Sequence, residues 1–447
     1  VAHILFLSPY YLPEKAAAAV CISETARGLV KRGHRVTILT TVPSYPDGIV
    51  PPAYRGRLLQ QELLDGVRVI RVWSVVSPNT SFVRRVISQL SFAFLAPLLG
   101  GKAIGEPDVI IVQSPPLLDA LAGRILASWK RCPFIFMISD HWPEVAIQLG
   151  VLRNRMIIRL ARWLEWSTYR RAGLVWAQSE PLRDLLVRCG LPPNRVFCLT
   201  NGVNIHTFRP QSQKQARSEL GWDGRFTLLH AGNHGLLYSL ETVLKAAEKM
   251  RDDPDVHFVF VGNGVTKGQL MERVRRSGLE NVSFLDAVPH EEVPRLLAAA
   301  DCCLVSLRKL PMSAMAMPVK MLEALACARP ILLGVDGEAR RIAVGSRAAL
   351  YVEPENADAL VSAIRYLRGH PDRARSMGRQ GRILAEKQFD YDLLTECLDM
   401  HLARLLGTAS SATQWEREPE AEEERLSIDE RITEKHPVPL TKTKGSV

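Results

Sequence analysis

The chain has 447 residues, more than one hydrophobic core usually serves, and its 47% hydrophobic and 23% charged content is ordinary for a soluble globular protein of two domains. A net charge of +10 and a pI near 9.3 favour a polyanionic partner, whether an anionic membrane surface, a nucleic acid or a diphosphate ligand, without choosing among them. The eight cysteines form no CxxC pair and mostly sit in apolar runs, which argues against zinc and disulfides and for reduced, apolar thiols in a cytosolic protein.

The chain opens on a strand-like run, His3–Ser8, with no basic region before it, so an exported protein is not expected. Further β-branched runs follow at Arg35–Thr41, Val67–Trp73, Val109–Gln113, Phe134–Ser139, Leu174–Ala177 and Val196–Leu199, with helical patterns between most of them. The apolar stretch Val86–Leu99 is interrupted by Ser88, Gln89, Ser91 and Pro97 and falls short of the ~20 residues needed to span a bilayer. It reads as a buried helix or, because Arg84 and Arg85 precede it, as an interfacial one. A cluster of arginines (Arg153, Arg155, Arg159, Arg162, Arg170 and Arg171) lies beside Trp163 and Trp166, either as a solvated helix face or as a contact for lipid phosphates.

The turn-rich seam Thr200–Pro210 introduces a second series of strands: Thr227–Ala231, His257–Val261, Val282–Leu285, Cys302–Ser306, Pro330–Gly334 and Ala349–Val352. Alternation of this kind predicts α/β architecture, two Rossmann-like doubly wound parallel sheets facing a cleft. The last helical patterns are Asp372–Gln388 and Tyr391–Leu406. From Thr408 onward nine acidic residues stand against six basic ones with few large apolar residues, so a disordered tail is expected and the basic character belongs to the body. The expected division is an N-terminal domain over 1–204, a C-terminal domain over 205–390, a helix at 391–407 packing back toward the first domain, and the tail 408–447.

In doubly wound sheets ligands sit beyond the carboxyl ends of the strands. The first such loop of the second half carries Gly232, Asn233, His234 and Gly235 ahead of a helix. That is suited to a diphosphate, though equally a plain strand-to-helix turn. Gly262, Asn263 and Gly264 occupy the equivalent place after the next strand. In the helix that follows Pro318 and Val319, Lys320 and Glu323 share one face, where the ammonium would hold a diphosphate and the carboxylate a ribose; the alternative is a solvated salt bridge between the two. In the first half Asp140, His141, Trp142 and Glu144 follow an apolar strand and look like an acceptor or catalytic loop, with Asp140 and Glu144 alternatively serving a helix N-terminus. The loop from Tyr10 to Ala17, with Glu14, Ala16 and Ala17, would face the same cleft.

Together these segments resemble the retaining glycosyltransferases of family 4, which have the GT-B fold, from His3 to about Leu406. The similarity is greatest to the branch of bacterial O-antigen, capsule and colanic-acid transferases that includes L-fucosamine transferases. The segments that carry it also include Gly33–Thr40, Ser179-Glu180, Asn201–Asn204 and Gly337-Glu338. The resemblance implies a nucleotide-sugar donor, UDP-linked in the first instance, held by the C-terminal half, with the acceptor, a glycan or a polyprenyl-linked sugar, held by the N-terminal half. It implies no metal or other cofactor. Glu323 matches the second Glu of the family's Glu-x7-Glu motif, Lys320 is expected to be the cation for the phosphates, and Asp140 is expected to be the protein group nearest the reacting sugar. Met315 stands where the first Glu is usual, Leu236 where an Arg is usual, and Ala16–Ala19 where many relatives carry Gly-Gly. A cytoplasmic protein with peripheral contact to an anionic membrane and no nucleic-acid partner is expected. A nucleotide-sugar 2-epimerase and a catalytically silent nucleotide-sugar-binding scaffold are the alternatives.

Overall fold

A computed structural model describes residues 1–14, 16–45, 48–76 and 82–408, so the expected tail lies outside the described residues from 409 onward. The first sheet is built from β1 (His3–Leu7), β2 (Arg35–Thr41), β3 (Leu59–Leu64), β4 (Val67–Val72), β5 (Val109–Ser114), β6 (Phe134–Ile138), β7 (Leu174–Ala177) and β8 (Val196–Cys198), in the order β3-β4-β2-β1-β5-β6-β7-β8. All neighbours are parallel except β3 and β4. The second sheet holds β9 (Phe226–Ala231), β10 (Val256–Val261), β11 (Val282–Leu285), β12 (Cys302–Ser306), β13 (Ile331–Gly334) and β14 (Ala349–Tyr351), in the order β11-β10-β9-β12-β13-β14, parallel throughout.

Runs such as Val109–Val112 and Phe134–Ile138 are apolar at every position because helices cover both faces of the sheet. In β1, Ile4 and Phe6 pack to one side with Ile22, Leu29 and Leu398, whereas Leu5 and Leu7 pack to the other with Phe92 and Leu126. Two further cores flank the second sheet in the same way. The helix Tyr391–Leu405 supplies Leu394, Leu398 and Leu402 to a core of the first sheet, so the chain ends its folded part on the half where it began. Gly28 permits this approach, because a β-carbon there would stand 2.5 Å from Thr395 Oγ1.

Two expectations are revised. The sequence reading contains no strand at Leu59–Leu64, which pairs antiparallel with β4 through a turn at Asp65-Gly66, both residues with positive φ. This Asp-Gly pair between two extended runs is a hairpin signal. The stretch Val86–Leu99 is neither a single helix nor wholly buried. The helix Phe82–Leu95 passes into one wider turn, Ala96–Gly100, around Pro97, and Phe94 and Leu98 face outward.

Candidate active site

Among its parallel strands each sheet reverses its order once, between β1 and β5 in the first and between β9 and β12 in the second, and the loops beyond these points are where a doubly wound sheet binds ligands. The loop after β9 is held by its neighbour after β10. Gly232 N–H donates to Val261 C=O at 2.8 Å, His234 N–H to Asn263 C=O at 2.9 Å, and Thr266 Oγ1 to His234 C=O at 2.7 Å. Contact is so close that a β-carbon on Gly262, whose φ is +137°, would stand 2.0 Å from Gly232 O, and one on Gly264 would stand 2.4 Å from His234 O. Gly262, Asn263 and Gly264 therefore brace the first glycine loop.

The amides of Gly232 and His234 are spent on this bracing, and the His234 ring points inward, against the stacked pair Phe260 and Phe284. Burial lowers the pKa of that ring to about 4, so it is neutral. The expected diphosphate cradle thus narrows to the amides of Asn233, Gly235 and Leu236, which have no acceptor among the described residues.

Pro318 precedes the helix Val319–Ala326, whose Met321, Leu322 and Leu325 are buried in the second half's core. Lys320 and Glu323 lie off this buried face, but no ion pair joins them among the described residues. Lys320 Nζ sits 3.8 Å from the centroid of the Tyr238 ring and 3.4 Å from His230 Nε2. A β-carbon on Gly232 would stand 3.3 Å from Nζ, so the lysine lies directly over the glycine loop. Burial, only partly offset by the charge of Glu323, lowers the Lys320 pKa to about 7. His230 is held neutral by burial first and by the lysine second. Glu323 instead accepts from His290 Nε2 at 2.8 Å. Burial opposes the charge of His290, but the hydrogen bond and field of Glu323 outweigh it and raise its pKa.

In the first half Asp140 lies just beyond β6, half-buried, with no hydrogen-bond partner among the described residues. Burial raises its pKa. Its field reaches Tyr238 of the other half, whose pKa burial and then Asp140 push up to about 12. Tyr238 is thus in contact with Lys320 and within the field of Asp140.

The other polar residues of these loops have partners inside the protein. Glu14 Oε1 accepts from the amides of Ser44 and Tyr45 at 2.8 and 2.9 Å. His141 faces the buried Glu165 at 3.4 Å, and Glu144 holds Arg162 through two bonds at 2.7 and 3.1 Å, so both are tied to the helix Arg155–Arg171. Trp142 packs on the first half's core instead of standing free as a platform. Ala16 precedes and Ala17 opens the helix Ala17–Lys31, with no side-chain cap.

A strap from the second half, Pro311–Met315, crosses to the first. Met312 N–H donates to Gln148 Oε1 at 3.2 Å, and Met315, in the position of the absent Glu, packs on the first half's core. Gly337 lets the strap pass, because a β-carbon there would stand 2.0 Å from Ala314 O. Sequence reasoning did not find His230, Tyr238 or His290. His230 and Tyr238 flank the glycine loop it did find, whereas nothing around His290 in the sequence marks it.

Residues 17–202 match the family described as glycosyl transferase 4-like domain, and residues 224–369 match glycosyl transferases group 1. The chain is 27% identical over 377 residues to a protein of Escherichia coli K12 named as a colanic acid biosynthesis glycosyl transferase, WcaI, a match covering 81% of this chain and 91% of that one. It is 30% identical over 334 residues to a D-inositol 3-phosphate glycosyltransferase of Mycobacterium sp. strain JLS, covering 71% and 70%. Among solved structures, the sucrose-phosphate synthase of Thermosynechococcus elongatus superposes with a TM-score of 0.73 at 18% identity, over 92% of this chain and 100% of that one. HepE of Anabaena, solved with UDP-glucose, superposes with a TM-score of 0.69 at 17% identity, over 90% and 100%. Both of the doubly wound sheets and both family matches lead to one assignment: the chain belongs to glycosyltransferase family 4 and has the GT-B fold.

Proposed function

We propose that this glycosyltransferase moves a sugar from a UDP-linked donor, with retention at the anomeric carbon, to a hydroxyl of a glycan or polyprenyl-diphosphate-linked acceptor in surface polysaccharide synthesis, at the inner face of the cell membrane. The observation that carries the reading is Lys320, held over Gly232 by His230 and Tyr238 at the mouth of the loop beyond β9. An ammonium with a pKa near 7 gains its full charge when a diphosphate arrives beside it. The colanic-acid assignment of the E. coli relative supports a polysaccharide acceptor, and the UDP-glucose in HepE supports the donor base.

In the proposed reaction the bond from the anomeric carbon to the β-phosphate oxygen breaks as the bond to the acceptor oxygen forms on the same face. The acceptor's proton passes to the departing diphosphate. Lys320 and the amides of Asn233, Gly235 and Leu236 stabilise the charge that grows there, without a divalent metal. Asp140, whose field reaches Tyr238, is the group nearest the reacting sugar, and Glu323 exchanges His290 for the ribose hydroxyls.

Lys320→Ala is expected to lower turnover by about 10²–10³ with the fold intact, and EDTA to leave the wild type unaffected. Mass spectrometry of products from UDP-, GDP- and dTDP-sugars with a lipid-linked acceptor reads the outcome. Near-normal transfer by the variant, an epimer released without acceptor, or nucleotide binding without turnover would overturn the reading.

A further inference from the structure

Three helices cover one face of the first sheet: Phe82–Leu95, Asp119–Lys130 and Arg155–Arg171. Each sends its inner side into the same core, through Phe92, Leu126 and Leu164 respectively, so their outer sides look the same way, off the sheet. The second is joined to the third by a hydrogen bond from Arg124 Nη1 to Ser167 Oγ at 3.0 Å. It packs against the end of the first at Gly101, where a β-carbon would meet the Trp129 ring.

The outer sides of all three are apolar at helical spacing. Val83, Ile87, Phe94 and Leu98 form one exposed stripe, and Ile125 and Trp129 a second. Met156, Leu160 and Trp163 form the third, 78%, 64% and 62% exposed. Aliphatic and indole groups this open to water on three adjacent helices exceed the scattered apolar exposure of an ordinary surface.

The charge on these helices is one-sided. They carry nine arginines and lysines and two acids, Asp119 and Glu165, and both acids are buried. Their exposed charge is therefore entirely positive, with Arg84, Arg155, Arg159 and Arg170 open to solvent among the stripes. A protein partner of matching apolar surface has no need of such a rim, whereas lipid phosphates above an acyl layer supply both halves of the match. Among the described residues no helix is long and apolar enough to cross a membrane, which suits a surface that lies on one.

From this pattern we infer that the three-helix face is the membrane-docking surface of the protein, with Trp163, Leu160 and Phe94 entering the acyl boundary of an anionic bilayer and the surrounding arginines binding its phosphates. This deepens the reading of a membrane-borne acceptor, but it stands on the surface alone, because vesicle binding needs neither donor nor turnover. The test is co-sedimentation of the full chain with phosphatidylcholine vesicles, with and without about 30% phosphatidylglycerol. The wild type is expected to bind the anionic vesicles and to keep a measurable share of that binding at about 0.5 M salt, since screening weakens the arginines and not the apolar insertion.

Leu160→Glu with Trp163→Glu, and separately Arg155→Glu with Arg159→Glu, are each expected to weaken binding at least about tenfold with circular dichroism unchanged. The inference is overturned if the wild type stays in the supernatant with anionic vesicles, or if both double variants bind as the wild type does. It is equally overturned if the face proves to close a dimer that the same variants split while vesicle binding is absent.

Discussion

The two halves use the same sheet architecture but hold their loops in opposite ways. In the C-terminal half the loops beyond β9 and β10 are locked to each other by backbone, with Gly262 and Gly264 pressed against Gly232 and His234, and Lys320 is placed over the result. In the N-terminal half the loops are held by side chains, with Glu14 on the amides of Ser44 and Tyr45, Glu144 on Arg162 and His141 beside Glu165. A backbone lock leaves polar side chains free for a ligand. A side-chain lock occupies several of them, and Asp140 has no hydrogen-bond partner among the described residues.

The contrast is most exposed at Gly262. Gly262→Ala puts a β-carbon into Gly232 O at a φ that L-residues avoid, and we expect a loss of about 2–4 kcal/mol in denaturant unfolding of the C-terminal half. Wild-type stability would mean that the lock can give way. Asp140→Asn should lower turnover by about 10² while leaving calorimetric donor affinity unchanged, because in the proposed reaction this charge acts on the reacting sugar and not on the diphosphate. A variant with normal turnover would leave the N-terminal half with no reacting group in this loop.

A smaller effect is expected from pH. Above about 7 the free Lys320 loses its proton, and binding a diphosphate must take one up, so UDP affinity should fall by up to about tenfold per pH unit above that point and level off below it. Lys320→Arg should flatten the slope, because the guanidinium stays charged; an equal slope in both proteins would assign the proton to another group. Least affected should be Glu144→Gln. Its partly exposed pair with Arg162 is worth less than about 1 kcal/mol, and the KM for acceptor should not change. A large rise in that KM would show that the carboxylate reaches the substrate.

Most of the sheet was legible before the structure, because a strand covered on both faces must be apolar at nearly every position and such runs cannot be mistaken for loops. β3 was not, since an edge strand with one open face alternates and looks like a polar connection, although Asp65-Gly66 marked the turn. The glycine loop and Lys320 were legible for a similar reason: a backbone approach and a buried cation restrict residue type at a fixed spacing. Glu14, His141 and Glu144 carried no mark that distinguishes a carboxylate or imidazole facing a ligand from one facing an amide or an arginine. His290 meets Glu323 from 33 residues away, and Met315 reaches the first half's core across the cleft, neither of which any local pattern encodes.

The amino-acid sequence by itself therefore determined the two doubly wound halves, the order of their elements and the loops where a ligand can approach, because burial and backbone freedom act through neighbours along the chain. Only the tertiary structure decided which polar groups remain unpaired in those loops and which apolar residues remain in water. The stripe on Phe82–Leu95 reads the same in sequence whether a core or a solvent covers it. Its exposure beside Trp129 and Trp163 depends on which elements the fold packs against it, and hydrogen-bond partners and burial are properties of the packed chain rather than of any segment.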